Sequence, residues 1–199
     1  MFNHVLEVVE ASNKYMRILA SDGQRINFMF NNKPYVYFLT QGKVDIYRKS
    51  DDILVHTVYA PYILGVIFLY GNDDYHYFKA STDATLTAIP ACELDNLADL
   101  NNLWKHFFCL ACEITLNLFR RENRFSSKNA YDIIKNNLEI IWELPEDERS
   151  KISVFKFILS RSRISRSSLN KVLKDLHNGG YINICRGKLL NVKALPNKY

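Results

Sequence analysis

The sequence predicts an α+β chain: an antiparallel sandwich, roll or barrel first, then a long helix, then a C-terminal winged helix-turn-helix. Three observations carry this. Apolar residues recur with period two from about Gln24 to Pro90, the period changes to 3.6 beyond residue 100, and the last quarter orders helix, tight turn, helix and hairpin.

The strand signals are Ile26, Phe28 and Phe30; Val36 and Phe38; Val44 and Ile46; Leu54, His56 and Val58; and Phe78 to Ala88 at every second position. Turn chemistry separates them at Asn31-Asn32-Lys33-Pro34, Gln41-Gly42-Lys43, Ser50-Asp51-Asp52 and Gly71-Asn72-Asp73-Asp74. No helical pattern interrupts them, which favours antiparallel pairing.

Trp104, Phe107, Ala111, Ile114 and Leu118 then alternate spacings of three and four, widened by Leu103, Phe108, Leu110, Leu116 and Phe119. This is a long helix with much apolar surface. Two readings stand for it: packing on the chain's own sheets, or pairing with a second subunit as well. The width of the stripe favours a C2 homodimer formed through those five residues. Phe125 to Asn129 reads as the joint, and Tyr131, Ile134, Leu138 and Ile141 mark the next helix.

Pro145 with Glu146, Asp147 and Glu148 suits a helix first turn. A short helix from Val154 to Leu159, the turn Ser160-Arg161-Ser162-Arg163, and a helix from about Ser165 to Asn178 follow. Gly179-Gly180 ends that helix. Strands Tyr181 to Cys185 and Lys188 to Val192, joined at Arg186-Gly187, complete the winged helix-turn-helix. The expected domains are 1–100 (the sheets), 101–127 (the connecting helix) and 128–199 (the winged unit).

Composition narrows the class. The chain has 199 residues, 48% apolar and 24% charged, and suits a globular core. Its longest near-continuous apolar run, Tyr59 to Gly71, is broken by Pro61 and Gly65 and is too short for a membrane span. The first residues carry Glu7 and Glu10 without a basic start, so no secretory leader is expected. Four cysteines at irregular positions (92, 109, 112, 185) fit a reducing cytoplasm. Residues 1–150 hold 15 Lys and Arg against 20 acids, whereas residues 151–199 hold 11 against Asp175 alone. A segment of that charge suits a polyanionic partner.

The second helix of the basic unit points to double-stranded DNA. Leu169, Val172, Leu173 and Leu176 fall on one face, which leaves Arg166, Ser167, Asn170, Lys171 and Lys174 outward. In a major groove Arg and Lys pair with guanine, Asn with adenine, and Ser with bases or backbone. Ser165 suits an N-cap, so the helix start offers backbone N–H groups to a phosphate. Arg161, Arg163, Arg186 and Lys188 flank the helix and would meet neighbouring phosphates.

The whole chain resembles a known family. Tyr37-Phe38-Leu39-Thr40-Gln41-Gly42-Lys43-Val44-Asp45-Ile46-Tyr47, then Pro61 and Gly65, a long helix and a terminal winged helix are similar to the CRP/FNR superfamily of bacterial transcription regulators. The C-terminal stretch resembles the IprA-type branch of enteric bacteria, named for inhibition of hydrogen peroxide resistance. Arg161 to Ser168, Gly179-Gly180-Tyr181-Ile182, Gly187-Lys188-Leu189 and Leu195 to Tyr199 carry that likeness. The resemblance implies a β-roll of the cyclic-nucleotide-binding, jelly-roll kind, a role in oxidative-stress response, and RNA polymerase as a further partner.

Departures from the family matter as much. Nucleotide-binding members carry a ribose-binding Glu after the glycine and an Arg-Ser pair for the cyclic phosphate. Here Val66-Ile67-Phe68 follows Gly65, and the later region reads Tyr75-His76-Tyr77-Phe78-Lys79-Ala80. Lys79 could supply charge but not the fork of an Arg. No cyclic nucleotide is expected.

Cys109-Leu110-Ala111-Cys112 is a CxxC amid Phe and Leu, read as small core residues rather than redox chemistry. His106 lacks a visible set of fellow ligands, so neither metal nor cofactor is expected. The chain is thus expected to be a sequence-specific regulator, not an enzyme and not membrane-bound. A small-molecule-sensing adaptor whose basic end contacts protein, and a cupin-like enzyme, are the rivals.

Overall fold

The period-two segment forms two antiparallel sheets in the computed structural model, which describes residues 1–71, 74–125 and 129–196, with backbone alone over 121–125. Ser126, Ser127 and Lys128 of the expected joint, Asn72 and Asp73 of one expected turn, and Asn197 to Tyr199 lie outside the described residues. The chain divides into two units, Met1–Leu116 and Asn117–Tyr199.

In the first unit, strands β1 (Met16–Ala20), β9 (Ala84–Pro90), β4 (Lys33–Gln41) and β3 (Met29–Phe30) lie side by side, and β7 (Tyr62–Leu64) also pairs β4. The second sheet runs β2 (Arg25–Asn27), β8 (His76–Ala80), β5 (Lys43–Arg48) and β6 (Leu54–Tyr59). Asn31 and Asn32, with φ of 49° and 59°, form the two-residue hairpin turn between β3 and β4. Gly42 has φ of 85°, and a Cβ there would sit 2.4 Å from Asp83 O, so the β4–β5 turn requires glycine.

Strand β4 is buried on both faces from Tyr35 to Leu39. Tyr37 meets Phe28 and Phe78, with ring centroids at 5.9 and 5.1 Å, whereas Phe38 meets Phe2 at 6.0 Å. Phe2 belongs to α1 (Phe2–Ala11), a helix that packs with α2 (Ala91–Leu100). Val5 and Val9 of α1, and Leu94 and Ala98 of α2, are buried at i,i+4 spacing. These helices make the strand fully buried rather than half-buried as its alternation predicts.

Helix α3 (Trp104–Phe125) buries Leu103 just before it, Phe107 and Leu110 in the core of the first unit, with Trp104 and Ile114 packed against that core. The opposite side carries Phe108, Cys109, Cys112, Leu116 and Phe119, all exposed. The core assignment of Cys109 and Cys112 is therefore corrected. Both thiols are solvent-accessible, because a helix with its Leu103-Phe107-Leu110-Ile114 seam inward turns positions 109 and 112 away.

The second unit holds α4 (Ala130–Glu143), α5 (Glu146–Arg149), α6 (Val154–Arg161), α7 (Arg166–Asn178) and the hairpin of β10 (Ile182–Cys185) and β11 (Lys188–Val192). Tyr131, Ile134, Leu138 and Ile141 join Val154, Ile158 and the inner face of α7 in one core. Helix α6 extends to Arg161, two residues past the expected end, so the helix-turn-helix link is Ser162 to Ser165. Gly179 keeps right-handed backbone, and Gly180, with φ of 72°, makes the left-handed reversal after α7.

Candidate nucleic-acid interface

Helix α7 is oriented by its own sequence. Leu169, Val172, Leu173 and Leu176 are all buried, and the remaining positions of the helix face solvent. Burying four aliphatic side chains in the core shared with α4 and β10 fixes the roll of the helix about its axis, at about 1.5–3 kcal/mol per side chain. That roll presents Arg166, Ser167, Asn170, Lys171 and Lys174 together on the exposed surface. Among the described residues none of the long basic side chains Arg166, Lys171 and Lys174 is tied up in an ion pair or side-chain hydrogen bond, so their donors are free.

The start of the helix is built from serines. Ser165 is the N-cap, and its Oγ accepts the Ser168 N–H at 3.1 Å. Ser165 Oγ also lies 2.9 Å from Ser167 Oγ and donates to Ser168 Oγ at 2.8 Å. The remaining first-turn N–H groups and the positive end of the helix dipole open toward solvent with Arg163 and Arg166, both exposed.

The flanking residues divide into two kinds. Arg163 and Arg186 are exposed, and Arg186 sits in the β10–β11 turn with φ of 49°, followed by Gly187 at 77°. That pair of left-handed residues is the two-residue turn that a tight hairpin favours. Arg161 instead lies over the Phe157 ring, Cζ 3.7 Å from its centroid, and is half-buried. Lys188 is also half-buried, and its ammonium donates to Lys151 O at 2.6 Å. Lys151 and Lys156, both exposed, add charge on the segment leading into α6 and on α6 itself. Sequence reasoning passed over them because neither lies in the recognition helix or the wing.

The residues expected to dimerise are split by the fold. Trp104, Phe107 and Ile114 pack on the core of the first unit, whereas Ala111 and Leu118 are exposed.

The interior of the roll has its own chemistry. Gly65 (φ of 83°) leads into a 3-10 turn, Val66–Leu69, whose Phe68 packs on Phe28 with centroids at 5.2 Å. Phe28 also meets Phe78 at 5.1 Å, so Phe28, Phe68 and Phe78 pack together in the core of the first unit. Lys79 lies on the outer face of its sheet, with Nζ 5.1 Å from the Tyr47 ring and 5.6 Å from the Tyr77 ring. Arg25 covers Tyr77 from the same side at 3.7 Å. Among the described residues, no group of three or more His, Cys, Asp or Glu side chains is placed to hold a metal ion, and no helix is long and apolar enough to cross a membrane.

Comparison with known proteins agrees with this architecture. Residues 130–197 match the family model described as winged helix-turn-helix DNA binding. The chain is 30% identical over 208 residues to the Escherichia coli K12 protein named inhibitor of hydrogen peroxide resistance, covering 98% of this chain and 99% of that one. The Salmonella typhimurium protein of the same name is 28% identical, covering 92% and 93%. Among solved structures, the c-di-GMP responsive global regulator CLP of Xanthomonas campestris superposes with a TM-score of 0.75 at 16% identity, covering 96% of this chain and all of that one. A transcriptional regulator of the CRP/FNR family from Eubacterium rectale gives a TM-score of 0.65 at 14% identity, covering 96% and 90%. The chain has the CRP/FNR-type fold with a C-terminal winged helix-turn-helix, and it belongs to the family of the enteric inhibitor of hydrogen peroxide resistance proteins.

Proposed function

We propose that the chain is a sequence-specific DNA-binding transcription regulator, not an enzyme, that acts in the cytoplasm without a cyclic nucleotide. The observation that carries this reading is the exposed face of α7, where Arg166, Ser167, Asn170, Lys171 and Lys174 stand side by side above a buried aliphatic face. Such a helix places side chains of both hydrogen-bonding senses against the base edges of a major groove. Arg163, Arg186 and the first-turn N–H groups that Ser165 leaves uncapped supply phosphate contacts that fix its register. Arg161 and Lys188, both half-buried, act at the edge of this surface.

A homodimer suits the exposed side of α3. Phe108, Leu116 and Phe119 form apolar surface on that side that a second copy would cover, while Ala111 and Leu118 are exposed members of the predicted stripe. A two-fold dimer would read a two-fold related operator. RNA polymerase is then the partner through which bound regulator alters transcription. The relatives' shared name, inhibitor of hydrogen peroxide resistance, supports a regulated response in peroxide stress.

Independence from cyclic nucleotides rests on the roll. Phe28, Phe68 and Phe78 take up its interior, and Lys79 faces out. Selection of duplexes from a random-sequence pool by the full chain tests the proposal. Enrichment of a two-fold related motif without added nucleotide is expected, and enrichment of nothing over the starting pool would refute it.

A further inference from the structure

The β10–β11 turn is tied to the segment that leads into α6 at two adjacent residues. Gly187 O accepts the Val154 N–H at 3.0 Å, and the Lys188 ammonium donates to Lys151 O at 2.6 Å. Each bond meets a need created by a helix end. Val154 is the first residue of α6, and its N–H has no partner within the helix. The N-cap Ser153 makes no side-chain cap hydrogen bond, so the wing carbonyl satisfies a donor of that first turn. Lys151 lies just beyond α5 and the Ser150 C-cap, where carbonyls lack helical partners and a cation is favoured.

The residue before this pair is Arg186. It is exposed and held in left-handed backbone, and its side chain makes no hydrogen bond or ion pair among the described residues. Left-handed backbone at a residue other than glycine persists only where its surroundings fix it. The hairpin ladder closes across it at Cys185 and Lys188, and the two bonds at Gly187 and Lys188 tie that turn to the segment leading into α6. We infer that Lys188 is a positioning residue for DNA binding: it anchors the wing to the entrance of α6 and acts through Arg186, which touches the phosphates. This inference rests on the proposed DNA-binding function.

The placement of its charge separates Lys188 from an ordinary phosphate contact. A lysine that neutralises a phosphate contributes its own increment to the salt dependence of binding, whatever its neighbour does. A positioning lysine contributes only while the arginine it positions is present.

The test is a double-mutant cycle on the full chain, read by anisotropy on a labelled duplex selected from the random pool, across a salt series. Arg186→Ala and Lys188→Met are expected to weaken binding by about tenfold each, the loss of one charged hydrogen-bonded contact. The double variant is expected to bind no more weakly than Arg186→Ala alone, with the same salt slope. Lys188→Arg, which keeps a donor at the same place, is expected to restore binding. Losses that multiply to about a hundredfold in the double variant would make Lys188 an independent phosphate contact and overturn the inference. So would Lys188→Met binding like the unchanged chain.

Amide hydrogen exchange gives a readout that needs no DNA. Lys188→Met is expected to speed exchange at the Val154 N–H while leaving Leu138, in the middle of α4, unchanged. Unaltered exchange at Val154 would refute the anchor itself. Failure of the unchanged chain to bind any duplex, with Val154 exchange still responsive, would refute the DNA-binding reading and leave the anchor standing.

Discussion

Phe68, the third residue after Gly65, stacks obliquely on Phe28 with ring centroids 5.2 Å apart and planes inclined by 33°. Gly65 makes this approach feasible, because a Cβ there would meet Phe28 Cδ1 at 3.0 Å and Tyr35 O at 2.9 Å. Apolar ring contacts thus hold the interior of the roll, and Tyr37 of β4 against Phe78 of β8, with centroids at 5.1 Å, links the two sheets. Phe28→Ala is expected to destabilise the first unit by about 3–5 kcal/mol, measured by denaturant unfolding. Titration calorimetry with cyclic AMP is expected to give no saturable heat with the unchanged chain. Micromolar binding would contradict a filled roll.

Two tyrosines make the first unit sensitive to alkaline pH. Burial, followed by the hydrogen bond to Asp52, pushes Tyr77 up to about 12, and burial pushes Tyr37 up to about 12. Tyr77 donates to Asp52 Oδ1 at 2.8 Å and Tyr37 to Asn27 O at 2.7 Å. The folded chain therefore holds these protons where the unfolded chain, with ordinary values of 10.0, releases them. Their contribution is complete below pH 10 and falls as pH rises toward about 12. Unfolding midpoints of the unchanged chain should drop across that window, and Tyr37→Phe with Tyr77→Phe should flatten the drop.

The thiols of Cys109 and Cys112 on α3 are open to reagents. Cys109 and Cys112 should both react with a maleimide in the folded chain, which intact-mass spectrometry would count. Cβ atoms three residues apart on a helix are about 5–6 Å apart, whereas a disulfide needs about 3.5–4.5 Å. Mild peroxide should therefore leave no Cys109–Cys112 bridge in non-reducing peptide maps. Finding that bridge with α3 still helical would contradict the geometry.

At the entrance to α7, Ser165→Ala removes the oxygen that accepts the Ser168 N–H. It should cost about 1 kcal/mol of stability, read from the unfolding of the second unit, because the N-cap bond is lost. Ser165→Asp should keep the cap, yet weaken DNA binding, since it places a carboxylate beside the phosphates that Arg163 and Arg166 would meet.

The sequence was legible wherever one periodicity ruled. The aliphatic face of α7, the Asn31-Asn32 turn and the wing from Lys188 to Val192 were all readable, because each rests on local spacing or turn chemistry. Helices α1 and α2 were not, since each buries only a single short stripe such as Val5 and Val9, too brief to stand out from a strand-rich region. Strand β7 was hidden within an apolar run that also feeds the 3-10 turn. The two sides of α3 could not be told apart from spacing, because Phe107 and Phe108 are equally apolar and only the sheets beneath the helix decide which is buried. The anchoring of Lys188 to Lys151 joins residues 37 apart and was equally out of reach.

The central claim is that the outward face of α7 reads duplex DNA. The most direct measurement is equilibrium binding of the full chain and of Arg166→Ala with Lys171→Ala to a selected duplex and to a scrambled one, across a salt series. The unchanged chain should prefer the selected duplex, with log K falling linearly against log salt. The double variant should lose about 1–3 kcal/mol for each contact on the selected duplex, and most of its preference over the scrambled one. Equal binding of both duplexes by the unchanged chain, or an unaltered preference in the double variant, would contradict it.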